Sequence, residues 1–145
     1  MISRILLPTD FSETAGKALD FVLGMKPCGI GEVVLIHVID VRIIAYTDVM
    51  FEETIDEERL IRECEETCLP RLKSIEARLK AAGFRTRTLT PVGVPFAEIN
   101  KAAEEVDASL VVLGHRGTNL AEELLLGSTA EKVARKCKRS VLLAR

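Results

Sequence analysis

Tryptophan is absent from this chain of 145 residues, tyrosine occurs once and phenylalanine five times. So few rings exclude a stacking platform for single-stranded nucleic acid, which reads bases on successive aromatic side chains. Neither sign of charge dominates: the formal net charge is −2, and the basic residues are scattered, which excludes a broad nucleic-acid face. No apolar run approaches the ~20 residues that a membrane helix needs. The opening Met1-Ile-Ser-Arg-Ile-Leu-Leu-Pro8 is too short an apolar stretch for a secretion signal, and Pro8-Thr9-Asp10 interrupts it. These absences predict a soluble, cytoplasmic protein with neither a membrane nor a nucleic-acid partner. Histidine is scarce as well, with only His37 and His115. The four cysteines, Cys28, Cys64, Cys68 and Cys137, therefore lack the further ligands that a zinc site requires. Cys64 and Cys68 stand one helical turn apart and are expected to be reduced thiols.

What is present is a core. Hydrophobic residues make up 48% of the chain, enough for one domain spanning residues 1–145. Arg4 to Leu7 reads as a short buried strand stopped by Pro8. Ser12 reads as the N-cap of a helix whose inner face is Ala15, Ala18, Leu19, Val22 and Leu23. Glu32 to Val38 is a second, nearly all-apolar strand of the kind covered on both faces of a parallel sheet. Asp40 to Glu52 reads as an irregular connection, unusual in carrying Ile43, Ile44, Tyr46, Val49, Met50 and Phe51; it is either a flap packed on the domain or a lid or dimer contact. Glu53 to Ala82 is a long amphipathic helix, with a kink or break expected between Thr67 and Pro70 and Gly83 as its C′ residue. Arg85 to Val92 reads as an edge strand, Pro95 opens a third helix, Leu110 to Leu113 is a fourth strand, Ser128 opens a fourth helix, and Ser140 to Ala144 is the last strand. Strands and helices alternate throughout, which predicts an α/β fold: an open, mainly parallel, Rossmann-like sheet with helices on both faces. Ligands of such sheets lie beyond the carboxyl ends of the strands.

Two loops at that edge carry chemistry. After the fourth strand come Gly114, Gly117, Gly127 and Ser128. Glycines admit close approach of an anion to the backbone, and the free N–H groups of a first helical turn point at it. Ser128 and Thr129 are thus phosphate-binding candidates; a plain N-cap is the competing role for Ser128. Asp10, after the first strand, can accept from ribose hydroxyls or help hold a divalent metal, or it can simply form a turn. Val38 can offer its backbone to an adenine edge, and Arg116 can reach a phosphate or remain solvated. His115 is expected to be exposed, His37 to be a hydrogen-bonded structural residue, and Asp40 and Glu52 to be solvated charge. The chain contains no G-x-x-x-x-G-K-[ST], no G-x-G-x-x-G and no G-x-S-x-G. It also lacks a convincing set of water-positioning and γ-phosphate-clamping residues, so binding is favoured over rapid turnover.

Three segments together resemble one family. Ile5-Leu-Leu-Pro-Thr-Asp-Phe-Ser-Glu-Thr-Ala15, Val34-Leu-Ile-His-Val-Ile-Asp40 and Gly114-x2-Gly117-x9-Gly127-Ser128 are similar to the first strand and loop, the second strand and the G-x2-G-x9-G-[ST] motif of the ATP-binding universal stress proteins. The resemblance spans the whole chain. It implies a five-stranded parallel sheet in the order 3-2-1-4-5, an adenine nucleotide (ATP or AMP) bound with Mg²⁺ or Mn²⁺, and a regulatory role in the stress response with an unidentified protein partner. By position it implies Pro8, Thr9 and Asp10 beside ribose and adenine, and Val38 on adenine. Leu113, Gly114, Arg116 and Gly117 would line ribose and phosphates, and Gly127, Ser128 and Thr129 would hold the phosphate tail. It further implies a homodimer paired through Ser140 to Ala144. One departure stands out: many members carry histidine just before the second glycine, where this chain has Arg116, with histidine one position earlier at His115. A slow metal-dependent ATPase or phosphotransferase, and a non-nucleotide interaction module, are the alternative functions.

Overall fold

The fold was analysed in a computed structural model, which describes residues 2–51, 56–116 and 126–145. Gly117 and Glu52 lie outside the described residues, as does the start expected for the long helix at Glu53. Five strands form one parallel sheet: β1 (Arg4–Pro8), β2 (Glu32–Ile36), β4 (Arg85–Leu89), β6 (Leu110–Gly114) and β7 (Ser140–Ala144), in the order β4-β2-β1-β6-β7. Numbered among themselves, these strands run 3-2-1-4-5, the expected order. A separate parallel pair, β3 (Ile39–Asp40) with β5 (Val92–Gly93), sits past the ends of β2 and β4.

Strand alternation divides the core in two. Ile5 and Leu7 of β1, with Val33 and Leu35 of β2, face one layer, where Ala18, Leu19 and Val22 of α1 (Glu13–Gly24) and Leu72 and Leu79 of α3 (Glu57–Ala81) cover them. Leu6, Val34 and Ile36 face the other layer, covered by Ile99, Ala102 and Ala103 of α4 (Pro95–Glu105) and by Ala130 and Val133 of α5 (Ser128–Lys136). Ser12 caps α1 as expected, its hydroxyl accepting from the Ala15 N–H at 3.2 Å. Gly83 follows α3 at φ +94°, the left-handed geometry that ends helices most readily at glycine. Among the described residues, no helix is long and apolar enough to cross a membrane.

Three expectations need correction. The connection after Asp40 is not irregular: Val41–Phe51 is a helix, α2, with Ile44 buried and Ile43, Tyr46 and Met50 exposed. Its first turn is held by the Asp40 carboxylate, which accepts from the Arg42 N–H at 3.0 Å. The long helix has no break at Pro70; α3 runs unbroken through it. A proline removes one ladder bond, but Leu72, Leu79, Cys68 and Ile75, packed on the sheet around that point, outweigh the local loss. The second strand stops at Ile36 and the third at Leu89; the residues beyond them turn off to form the β3–β5 pair. Ser128 opens α5 as expected, and the competing N-cap role is not its own. Gly127 occupies that place at φ −71°, ψ 154°, and no side chain caps the helix.

Candidate functional site

The sheet order reverses between β1 and β6, so the chain leaves these neighbouring strands toward opposite sides and opens a crevice at their carboxyl ends. A cavity of about 430 Å³ occupies that crevice. Its lining includes Pro8, Thr9 and Asp10 from the end of β1, Val38 after β2, Leu113, Gly114 and Arg116 at the end of β6, and Gly127, Ser128 and Thr129 at the start of α5. Ten of the eleven candidates thus meet in one space, and the eleventh, Gly117, is outside the described residues.

The β1 loop is tightly built. Thr9 Oγ1 accepts from the Phe11 N–H at 3.1 Å, and Asp10 Oδ1 accepts from the Ser12 N–H at 3.0 Å. Asp10 therefore forms the turn proposed for it as a structural role, while its exposed carboxylate still lines the cavity. Phe11 adopts φ +64°, a left-handed conformation uncommon for a bulky side chain. Two contacts hold it: its ring centroid lies 4.7 Å from that of His37, and the Arg71 guanidinium lies over the ring, 4.6 Å from its centroid.

His37 has the structural role expected of it. Its Nδ1 lies 2.8 Å from the Thr9 carbonyl oxygen, which can only accept, so Nδ1 carries the proton. In the neutral ring, Nε2 is then an acceptor, and the Cys68 thiol 3.4 Å away donates to it. His115 is not the exposed side chain expected: it is half-buried, with Nδ1 3.1 Å from the Ala144 carbonyl. Its backbone N–H donates to that same carbonyl at 2.9 Å, and its own carbonyl accepts from the Gly127 N–H at 2.6 Å. His115 thereby ties the last strand to the start of α5.

Gly114 has a role the sequence did not reveal. A Cβ there would lie 2.5 Å from Thr14 Oγ1 and 2.7 Å from the Thr14 carbonyl carbon. The glycine lets α1 press against β6, and the buried Thr14 hydroxyl donates to the Arg116 carbonyl, locking the β6 loop to α1.

The crevice brings backbone donors and a guanidinium together with apolar side chains such as Ile36, Ile39 and Leu113. Gly127, Ser128, Thr129 and Ala130 all line it, so the N–H groups of the first turn of α5 lie along its wall without a side-chain cap. Arg116 lines it too and makes no ion pair among the described residues. Around Val38, the His37 N–H donates to Leu89 at 3.0 Å and the Ile39 N–H to Pro91 at 2.8 Å, while no described bond engages Val38 itself. Asp40 is more than solvated charge. Its carboxylate forms a two-point pair with Arg42, at 2.9 and 2.6 Å. That hydrogen bonding from Arg42 holds it below the usual carboxylate range, against the opposing effect of burial. Sequence reasoning also missed α2 and the thiol wall of Cys64 and Cys68, which close the crevice on the α3 side. The helical spacing of the two cysteines was visible, but their orientation toward the ends of the strands was not. Among the described residues, no group of three or more histidine, cysteine, aspartate or glutamate side chains could hold a metal ion.

A model of the universal stress protein family matches residues 1–145. The chain is 34% identical over 155 residues to Universal stress protein MJ0577 of Methanocaldococcus jannaschii, covering all of this chain and 96% of that one. The solved structure of MJ0577 has a TM-score of 0.89 against it, at 35% identity and with 99% and 96% of the two chains covered. Universal stress protein YxiE of Bacillus subtilis is 29% identical over 150 residues, with both chains covered in full. Two more distant solved structures share the fold. One is a universal stress protein in complex with cAMP (22% identity, TM-score 0.71, 99% and 97% covered). The other is the universal stress protein from Archaeoglobus fulgidus in complex with dAMP (24% identity, TM-score 0.65, both fully covered).

Proposed function

This chain belongs to the universal stress protein family, and from that premise we propose that it is a nucleotide-dependent regulatory protein that binds ATP in the crevice and hydrolyses it little or not at all. The observation that carries the reading is the convergence of the β1 loop, Val38, Arg116 and the uncapped first turn of α5 on one cavity. Adenine lies against the unengaged backbone of Val38. The ribose hydroxyls donate to Asp10. The phosphates take the N–H groups of Ser128, Thr129 and Ala130, the Ser128 hydroxyl and the Arg116 guanidinium. The adenine monophosphates held by the cAMP and dAMP complexes agree with this ligand class, and AMP would use the same inner half of the site.

A divalent ion fits here only as a companion of the phosphates. The described cavity lining offers two carboxylates, and Asp40 is committed to Arg42, which leaves Asp10 and the Ser128 hydroxyl to touch a phosphate-bound Mg²⁺ or Mn²⁺. Bound there, the ion would neutralise phosphate charge. Both ring nitrogens of His37 are engaged, and His115 is not among the residues that line the cavity, so neither imidazole is set to activate a water there. Phosphate release from Mg·ATP should accordingly run far below the ~1–10³ s⁻¹ typical of enzymes. Release at enzyme rates that collapses in Asp10→Asn or Ser128→Ala would replace this reading with a metal-dependent ATPase.

The two sheet edges differ in a way that supports self-association through β7. β4 carries Arg85 and Arg87, charges that discourage edge pairing, whereas β7 offers half-buried Val141, Leu142 and Leu143. Sedimentation equilibrium should report twice the 16.0 kDa chain mass. A monomer at micromolar concentration would remove this part of the reading.

A further inference from the structure

Nothing in the nucleotide reading uses the thiols of α3, yet Cys64 and Cys68 both line the cavity. Cys68 is a thiol with a base and an orienting group attached. Its Sγ lies 3.4 Å from His37 Nε2, and His37 Nδ1 is 2.8 Å from the Thr9 carbonyl, which fixes the ring's tautomer and aim. Nucleophile, base and orienting group in series form the arrangement that activates a weak nucleophile. Burial, and after it Cys64, push the Cys68 thiol up from its ordinary range, against a pull downward from Arg71. The resting group is therefore the thiol, which donates to Nε2, and its reaction depends on a partner that takes the proton.

The exchange balances with one co-reactant. The Cys68 S–H proton passes to His37 Nε2 as the sulfur attacks one sulfur of a low-molecular-weight disulfide. The S–S bond of the reagent breaks, its second half leaves as a thiolate, and that thiolate recovers the proton from the imidazolium as a free thiol. The protein keeps a mixed disulfide. An adduct on Cys68 has two consequences at the site. It occupies space in a cavity of about 430 Å³. It also removes the S–H donor from Nε2, loosening the ring that holds Thr9 and packs, tilted, against Phe11. Cys28, which is exposed and outside the cavity lining, offers an internal reference.

We propose that Cys68, with His37 as proton acceptor, is a thiol-exchange site for low-molecular-weight disulfides, and that its mixed disulfide excludes the nucleotide. The second half rests on the ATP-binding reading above. The test uses 2-hydroxyethyl disulfide on the full chain, with peptide mass mapping and ATP titration before and after. Cys68 should acquire the adduct, ATP should protect it while leaving Cys28 unprotected, and ATP affinity should fall by at least about tenfold and return with dithiothreitol, a change of ~1.4 kcal/mol. The ratio of affinities before and after reagent should approach one in Cys68→Ser and stay large in Cys64→Ser. The dyad has a readout independent of nucleotide: His37→Gln should slow modification of Cys68 by about tenfold while Cys28 reacts at its wild-type rate.

An adduct on Cys64 instead, or Cys68 left unmodified while Cys28 reacts to completion, would overturn the assignment. So would an unchanged Cys68 rate in His37→Gln. An adduct on Cys68 that leaves ATP affinity unchanged would overturn the exclusion alone. Failure of the reduced protein to bind ATP would instead overturn the nucleotide reading, and the exclusion with it, while the His37→Gln rates still judge the thiol site.

Discussion

Replacing Gly114 with alanine should destabilise the protein by about 2–3 kcal/mol, since overpacking a tight contact costs that order. The methyl group would meet Thr14 Oγ1 at 2.5 Å, and the Thr14 carbonyl carbon and oxygen at 2.7 and 2.8 Å. Two of these atoms are backbone, so no rotamer change relieves the clash and α1 itself must move off β6. For a chain of this size the loss should lower the melting temperature by roughly 5–10 °C. The movement would also break the Thr14 hydrogen bond to the Arg116 carbonyl, so nucleotide affinity should fall with stability. Gly16 supplies the opposite control in the same helix. Nothing lies within 4 Å of a Cβ there, and alanine should stabilise α1 by about 0.5–1 kcal/mol. Thermal melts of the two variants should move in opposite directions. A Gly114→Ala protein as stable as wild type would mean that the β6–α1 contact is looser than described.

The largest functional effect is expected at Gly127. Its angles, φ −71° and ψ 154°, are open to any residue, so a side chain there need not distort the backbone. The position is buried, lines the cavity and precedes the first N–H groups of α5. Leucine would put an apolar group where the phosphate tail approaches those donors. Charge-assisted hydrogen bonds contribute about 1.5–3 kcal/mol each, so ATP affinity should fall by roughly ten- to a hundredfold or more, with circular dichroism unchanged. Gly127→Ala should fall between wild type and leucine. Equal affinity in all three proteins, each shown to be folded, would remove the phosphates from α5.

Much of this was legible in the chain. The alternation of apolar strands with helical periodicity led to a parallel sheet covered on both faces, whereas the order of its strands was implied only by the family resemblance. The glycines and Ser128, read with the β1 loop, led to the residues that now line one cavity. What escaped was tertiary in origin. Val41 to Phe51 reads as a loop because Ile43, Tyr46 and Met50 face outward while Ile44 is buried, and because the Asp40 carboxylate starts the helix from outside it. Pro70 signalled a break that packing of α3 on the sheet overrides. Gly114 was read as room for a ligand, whereas Thr14, a hundred positions earlier in the chain, is what crowds it. The meeting of Cys68 with His37 depends on how α3 is rotated against the end of β2, which no periodicity encodes.

The central claim is that the crevice binds an adenine nucleotide. The measurement that tests it most directly is calorimetric titration of ATP, with Mg²⁺, into the reduced wild-type protein, repeated with AMP and with inorganic tripolyphosphate. The account predicts saturable binding of ATP at one site per chain, weaker binding of each fragment, and competition between them. Absence of saturable heat with any adenine nucleotide would contradict it, and would leave the glycines as turns in a protein-interaction module.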